Sequence, residues 1–191
     1  MIKFVEEAVT FLQNRGFGTP DIGIILGTGL GKIIDHVAIE AEMSYNHIPN
    51  FPTATVEFHK GKLIYGELAG KKVVLMQGRF HLYEGYSLFD VTFPVRVMKG
   101  LGISRLFVSN ASGAINLNFK KGEIMLIDDH INLQGGSPLA FKGVEKLGER
   151  FVDMNQPYDS VMNTKIEEIA LAHGINPVSY THLTLPTILR V

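Results

Sequence analysis

The segment "VVLMQGRFHLYEG", residues 73–85, joins an apolar run to a cluster of functional groups. Residues 73–76 have the composition of a buried strand. On an extended chain, Arg79, His81 and Tyr83 would share one face, because side chains of a strand alternate between its two faces. A guanidinium, an imidazole and a phenol on one face favour a binding site for an anion beside a polyol or a ring.

The segments on either side predict further strands that end in loops. Residues 62–78 predict two strands around a turn at residues 69–70. The segment "DIGIILGTGLG" predicts a short buried strand, residues 22–26, that opens into a glycine loop. The segments "SRLFVSNASGAIN" and "GEIMLIDDHINLQG", residues 104–116 and 122–135, predict strands that end in small or polar residues.

Apolar residues at helical spacing predict three helices between these strands. They lie at residues 5–12, 88–101 and 162–173. In the second helix, Pro94 favours a kink or a restart. Residues 135–157 contain glycine and proline with little periodicity, which predicts a long loop. The alternation of helices and strands indicates an α/β fold, in which ligands bind where strand ends open into loops.

Composition excludes several classes of protein. The 191 residues suffice for a core, 46% are hydrophobic, and the net charge is −1, so nothing indicates a nucleic-acid or membrane partner. There is no cysteine, which fits a reducing compartment. Glu6 and Glu7 stand where a signal peptide would be apolar, and no apolar run approaches the length of a membrane span. We therefore expect a soluble, cytoplasmic protein.

Three loops at predicted strand ends, residues 27–31, 78–85 and 110–113, could converge on one anion through backbone N–H groups. The first loop matches neither common nucleotide-binding motif. Lys32 stands where the dinucleotide fingerprint requires its third glycine. Leu26 stands where a triphosphate-binding loop requires its first glycine, and no Ser or Thr follows Lys32.

Four segments in order resemble the purine nucleoside phosphorylases of the trimeric class. They are "ILGTGLG", "HKGKLIYG" after "FPTATVEF", "QGRFHLYEGY", and "VSNASGAIN" followed by "GEIMLIDDHINL". The resemblance implies a twisted mixed β-sheet flanked by helices, and a homotrimer. It also implies phosphorolysis of purine nucleosides, a pentosyltransferase reaction of purine salvage that yields the free base and (deoxy)ribose 1-phosphate. Inorganic phosphate would be the co-substrate, with no metal and no organic cofactor.

The resemblance assigns roles only where a motif matches. The implied phosphate-binding residues are Thr28, His59, Arg79, His81, Asn110 and Ala111, and His81 is also the implied catalytic residue. The implied ribose and nucleoside contacts are Tyr83, Ala111, Ser112 and Phe151, the last reaching into a neighbouring subunit. Two positions depart from the family pattern, since Thr28 replaces a serine and Phe58 replaces the glycine before His59.

Several of these residues also have plain structural interpretations. His59 and His81 could each be a hydrogen-bonded structural histidine instead of a ligand. We expect Glu84 to hold its loop through hydrogen bonds and His130 to fix a strand end in the same way, although "DDHIN" has the composition of a metal site. Phe151 could be a core residue.

Past residue 175 the sequence departs from the family pattern. The expected purine-binding glutamate, the methionine and asparagine after it, and a late histidine have no match in "NPVSYTHLTLPTILRV". We therefore expect the N-terminal part of a phosphorylase-like domain over residues 1–175, an unmatched tail over residues 176–191, and little activity from a chain that stops there. Two alternatives stay open: a methylthioadenosine phosphorylase-like enzyme, and a non-catalytic remnant that binds phosphate or nucleoside.

Overall fold

A computed structural model describes residues 1–27, 29–52 and 61–184 of the chain. The chain divides into two compact units, Met1–Ser112 and Gly113–Val191. The predicted phosphate ligands Thr28 and His59 lie outside the described residues. Across the described ranges, the helices are too short or too polar to cross a bilayer.

The first unit contains a five-stranded mixed sheet. Its strands are β1 (Ile22–Ile25), β2 (Ala38–Ser44), β3 (Lys62–Leu68), β4 (Lys71–Gln77) and β5 (Arg105–Val108). They lie in the order β2-β3-β4-β1-β5. Strands β4 and β5 run parallel to β1, whereas β3 runs antiparallel to β2 and β4. The predicted α/β fold with a twisted mixed sheet is confirmed.

The register of the three parallel strands aligns their carboxyl ends. Ile25, the last residue of β1, is paired with Met76 of β4 and with Val108 of β5. The loops that follow β1, β4 and β5 therefore leave the same edge of the sheet, as expected for a ligand site in an α/β protein.

Two helices cover one face of this sheet, α1 (Ile2–Gln13) and α2 (Leu88–Leu101). The core that they share with the sheet includes Val5, Ala8, Leu12, Leu63, Tyr65, Val74, Met76, Phe93, Val97 and Met98. A smaller cluster on the other face comprises Leu26, Val37, Ile64, Val73 and Leu75. Both helices were predicted from sequence, as was burial of the central strands.

Helix α2 passes through Pro94 as one element, which excludes the restart, one of the two predicted alternatives. Pro94 and its neighbour Phe93 are buried in the core, and this packing outweighs the cost of about 3 kcal/mol that proline imposes inside a helix. The helix begins at a capping box. Ser87 Oγ accepts the N–H of Asp90 at 3.2 Å, and the Asp90 carboxylate accepts the N–H of Ser87 at 2.9 Å.

The second unit contains β6 (Met125–Asn132), α3 (Ser160–Ala172) and β7 (Val178–Thr184), with β7 parallel to β6. Strand β6 and helix α3 were predicted from the sequence. Strand β7 was not predicted, and it lies in the segment expected to be an unmatched tail. Between β6 and α3, the one regular element that the structure describes is a short turn, Val144–Lys146, in agreement with the predicted long loop.

Candidate functional site

The loop that follows β4 is anchored by aromatic residues at its start. Gly78 has φ +88°, in the left-handed region, and its carbonyl accepts a 2.7 Å hydrogen bond from the phenol of Tyr45. Burial raises the pKa of the Tyr45 phenol, which keeps it a donor. The buried ring of Phe80 lies 5.3 Å from the Tyr45 ring and 5.2 Å from the Tyr86 ring, measured between centroids. The backbone at His81 is extended, and the side chains of Arg79 and His81 contact each other.

The guanidinium of Arg79 is held by groups on two loops. Its Nη1 donates to the backbone carbonyl of Ser109, which follows β5. Its Nε lies 3.4 Å from Nε2 of His81, a long hydrogen bond. A guanidinium carries five N–H donors in a rigid fork, and these two bonds to described residues use two of the five. The side chain is partly buried, which reduces its screening by water.

Beyond His81 the chain turns instead of continuing as a strand. Leu82–Glu84 forms a short 3₁₀ helix that ends at Gly85, with φ +91°. The rings of His81 and Tyr83 are in contact, as predicted. The turn brings them together, however, and not the alternation of side chains along a strand. The Glu84 carboxylate accepts the N–H of His81 at 2.9 Å, which confirms that Glu84 holds the loop.

The loop after β1 is attached to the same point as Arg79. The N–H of Gly27 donates to Ser109 Oγ at 2.7 Å, and the N–H of Ser109 donates to the carbonyl of Ile25 at 3.1 Å. The loops after β1, β4 and β5 therefore meet at Ser109. Ser109 was not among the residues predicted from the sequence, although a hydroxyl between a short apolar strand and the small-residue loop that begins at Asn110 is a signal for it.

The other predicted site residues that the structure describes are exposed. Asn110, Ala111 and Ser112 follow Ser109 at the carboxyl end of β5. Phe151 belongs to the second unit and is 87% exposed, so its interpretation as a core residue is wrong for this chain. An aromatic side chain so exposed is available for contact with a ligand or a partner.

His130 of β6 makes the structural contacts expected of it. Its Nδ1 lies 3.2 Å from the Tyr158 hydroxyl, and its Nε2 is hydrogen-bonded to Thr184 Oγ1 at the end of β7. Its ring also lies 5.1 Å from that of His182. Within residues 1–27, 29–52 and 61–184, no three acidic, histidine or cysteine side chains are grouped as a metal site would require.

Comparisons with known proteins agree with this geometry. Residues 21–190 match the family model of the phosphorylase superfamily. Purine nucleoside phosphorylase 1 of Geobacillus stearothermophilus is 48% identical over 171 residues, which are 90% of this chain and 62% of that protein. The Bacillus subtilis enzyme of the same name is 45% identical over 185 residues, 96% of this chain and 68% of that one. This chain belongs to the purine nucleoside phosphorylase family.

The fold of this chain also matches that of a purine nucleoside phosphorylase of known structure. Isoform 2 from Schistosoma mansoni, solved with cytosine and ribose-1-phosphate, superposes with a TM-score of 0.90 at 35% identity, covering 98% of this chain and 68% of that one. The chain thus spans about two thirds of the length of these relatives, 62% of the first. The family resemblance expected from four sequence segments is confirmed, and three of those segments are the strand-end loops that meet at Ser109.

Proposed function

We propose that the protein catalyses phosphorolysis of purine nucleosides, with release of the free base and formation of (deoxy)ribose 1-phosphate. The observation that carries the proposal is the junction of three loops at Ser109, which holds the Arg79 guanidinium beside the glycine loop of β1. Relatives at 45–48% identity are named purine nucleoside phosphorylase. Those names favour this function over the methylthioadenosine alternative.

Phosphate would bind at the junction of the loops. Arg79 offers a charged, bidentate donor, and such pairs are about twice as strong as neutral hydrogen bonds. His81, in contact with Arg79, would orient the same phosphate. Backbone N–H groups of the small-residue loop from Asn110 to Ser112 would bind other phosphate oxygens, because successive N–H groups form anion-binding concavities. Thr28 and His59 stay predicted ligands on the strength of the family resemblance.

The reaction makes use of the charge on this phosphate. A phosphate oxygen forms a bond to the anomeric carbon as the bond from that carbon to the purine nitrogen breaks. The electron pair of the broken bond leaves with the purine, and the sugar passes through an oxocarbenium-like state. The purine takes up the proton that hydrogen phosphate loses as it becomes the sugar phosphate. A phosphate fixed by Arg79 lies beside this developing positive charge, so positioning and electrostatics lower the barrier.

Ribose would bind along the exposed aromatic side of the loop after β4. Tyr83 is 66% exposed and rests on His81, so its ring and hydroxyl are accessible to a sugar. The Schistosoma mansoni relative was solved with ribose-1-phosphate, a molecule that combines the two groups proposed to bind here. Ala111 and Ser112 would contact the nucleoside from the neighbouring loop.

We also propose a homotrimer with a shared site, in which the exposed Phe151 contacts the nucleoside bound to a neighbouring subunit. The proposal rests on the family resemblance and on the 87% exposure of this ring. A cytoplasmic location is proposed from the cysteine-free composition, which fits a reducing compartment.

The direct test is release of hypoxanthine from inosine by the full-length protein, with and without inorganic phosphate. Formation of ribose 1-phosphate in an amount equal to hypoxanthine, and only with phosphate present, is the expected result. Turnover of methylthioadenosine in place of inosine would support the related phosphorylase instead. Binding of phosphate or inosine without turnover would support the non-catalytic alternative.

A further inference from the structure

Ser109 connects the three loops through each of its polar groups. Its N–H and its hydroxyl both donate to the carbonyl of Ile25, at 3.1 and 3.2 Å. The same hydroxyl accepts the N–H of Gly27 at 2.7 Å, and the Ser109 carbonyl accepts from Arg79 Nη1. One residue therefore bonds both Gly27, at the start of the glycine loop, and Arg79.

The contact between Gly27 and Ser109 is too close for another residue at position 27. A Cβ on Gly27 would lie 2.7 Å from the Ser109 carbonyl oxygen and 3.2 Å from its Oγ. Backbone atoms cannot move away as the tip of a flexible side chain can. The distance between the glycine loop and the carbonyl that holds Arg79 is therefore set by direct backbone contact.

Ser104, at the other end of β5, shows which of these bonds are special. Its N–H and its hydroxyl both donate to the carbonyl of Asp21, at 3.0 and 3.2 Å, in the same pattern that Ser109 makes with Ile25. In the described part of the chain, the bonds to a loop N–H and to a guanidinium are found at Ser109 and not at Ser104. Hydrogen bonding at the ends of β5 accounts for the bonds that both serines make to a carbonyl. It does not account for the two additional bonds of Ser109.

We infer that Ser109 is a positioning residue of the phosphate site, an inference that rests on the proposed function. Its hydroxyl fixes the position of the glycine loop, and its carbonyl fixes the position of the Arg79 guanidinium. The loop and the guanidinium are thereby held at a fixed distance from each other, and both bind the same phosphate. Loss of the hydroxyl releases the N–H of Gly27 while leaving the carbonyl in place. The glycine loop then shifts relative to Arg79, and misplacement by about 1 Å can cost about 100-fold in rate.

The test compares Ser109→Ala, Ser109→Thr and the matched control Ser104→Ala in the full-length protein. Ser109→Ala should raise the KM for phosphate by about 10- to 100-fold, with the KM for inosine changed by less than about threefold. Ser109→Thr keeps the hydroxyl and should recover most of the phosphate affinity. Ser104→Ala removes an equivalent strand-end bond and should match the wild type in both constants.

A purely structural role would give a different pattern. In that case Ser109→Ala would lower the melting temperature and leave the KM for phosphate equal to that of Ser104→Ala, and the inference would be overturned. If Ser109→Ala does not fold, Gly27→Ala provides a second test, because its Cβ forces the loop away from Ser109. An unchanged KM for phosphate in Gly27→Ala would overturn the inference as well.

Titration calorimetry with inorganic phosphate separates this inference from the proposed function. If the wild-type protein neither binds nor consumes phosphate, both fail together. If the wild type uses phosphate and Ser109→Ala uses it equally well, the proposed function stands and the role of Ser109 is rejected. Selective weakening of phosphate binding in Ser109→Ala, restored in Ser109→Thr, supports both.

Discussion

The rings of His81 and Tyr83 are stacked, with centroids 4.7 Å apart and planes inclined by 19°. Tyr83 is nevertheless 66% exposed, so the stack covers one face of the phenol and leaves the other accessible. Through His81, the same stack is connected to Arg79. The proposed ribose contact and the proposed phosphate anchor are thus joined by one chain of side-chain contacts.

Substitution of Tyr83 should separate the effect of the stack from that of the hydroxyl. Tyr83→Phe keeps the stack and loses a hydrogen bond to ribose that is worth about 1 kcal/mol. The KM for inosine should therefore rise roughly fivefold. Tyr83→Ala also loses the aromatic contact, worth about 0.5–1.5 kcal/mol more. Steady-state kinetics at saturating phosphate measure both. Equal KM values for both variants and the wild type would remove Tyr83 from the ribose site.

Arg79→Ala should impair the use of phosphate far more than binding of nucleoside. Removal of a charged anchor of the reacting group should cost about 2–4 kcal/mol of transition-state stabilisation. Arg79→Lys keeps the charge but not the fork, so we expect an intermediate loss. Arg105→Ala, an exposed arginine at the first position of β5, is the matched control. If Arg105→Ala impairs the use of phosphate as much as Arg79→Ala does, the assignment of Arg79 to the phosphate site is contradicted.

Tyr45→Phe should lower stability, because it leaves the Gly78 carbonyl without the phenol that bonds it. The expected loss is about 1–3 kcal/mol in the free energy of unfolding.

Tyr45→Phe should also change how the free energy of unfolding depends on pH in alkaline solution. Burial raises the pKa of Tyr45 above its ordinary value of 10.0. Above that pH the unfolded chain releases the proton and the folded chain retains it, so stability falls by about 1.4 kcal/mol per pH unit.

Guanidinium unfolding between about pH 8 and pH 11 tests the linkage at Tyr45. The wild type should lose stability as the pH rises past 10, and Tyr45→Phe should lose less. Tyr83→Phe, which removes an exposed phenol, is the matched control. Identical alkaline slopes in Tyr45→Phe and the wild type would show that Tyr45 does not remain protonated in the folded protein.

The local pattern predicted most of the fold, and the exceptions depend on distant partners. Strand β2 carries an alternation of apolar and acidic residues, Ile39, Glu40, Ala41 and Glu42, but it is an edge strand with little burial, so its signal is weak. Strand β7 is stabilised by pairing with β6, about fifty residues earlier in the chain. Neither pairing is visible in a short window of sequence.

The contacts within the candidate site were predictable from sequence where one loop contains both partners. Arg79 and His81 were placed together because local alternation does hold from one to the other. The position of Tyr83 depends on a turn closed by the Glu84 carboxylate, a hydrogen bond that alternation cannot predict. The bonds that Ser109 makes depend on the register between β5 and β1, which is known only once the strands are paired.

His182 should make the second unit less stable in acid. Its pKa is lowered from 6.5, first by burial and second by the nearby His130. The unfolded chain therefore takes up a proton at a higher pH than the folded chain, so the contribution of His182 is complete above pH 6.5 and is lost as the pH falls below it. The urea concentration at the midpoint of unfolding should fall between about pH 7 and pH 5 in the wild type. In His182→Gln it should fall less. His173→Gln, which replaces the exposed histidine at the C-terminal cap of α3, is the matched control.

Phe151→Ala should weaken nucleoside binding without destabilising the chain that carries it. Because the ring is 87% exposed within the chain, its truncation removes almost no core contact. If the ring instead packs on a nucleoside in a neighbouring subunit, its loss should raise the KM for inosine by about 10- to 100-fold, as expected from about 1.5–3 kcal/mol for a buried phenylalanine. The KM for phosphate should stay nearly constant. Val161→Ala, which truncates an apolar residue of the same unit that is 80% exposed, should change neither constant. Sedimentation of the active species should show a trimer, and a monomer with wild-type turnover would exclude the shared site.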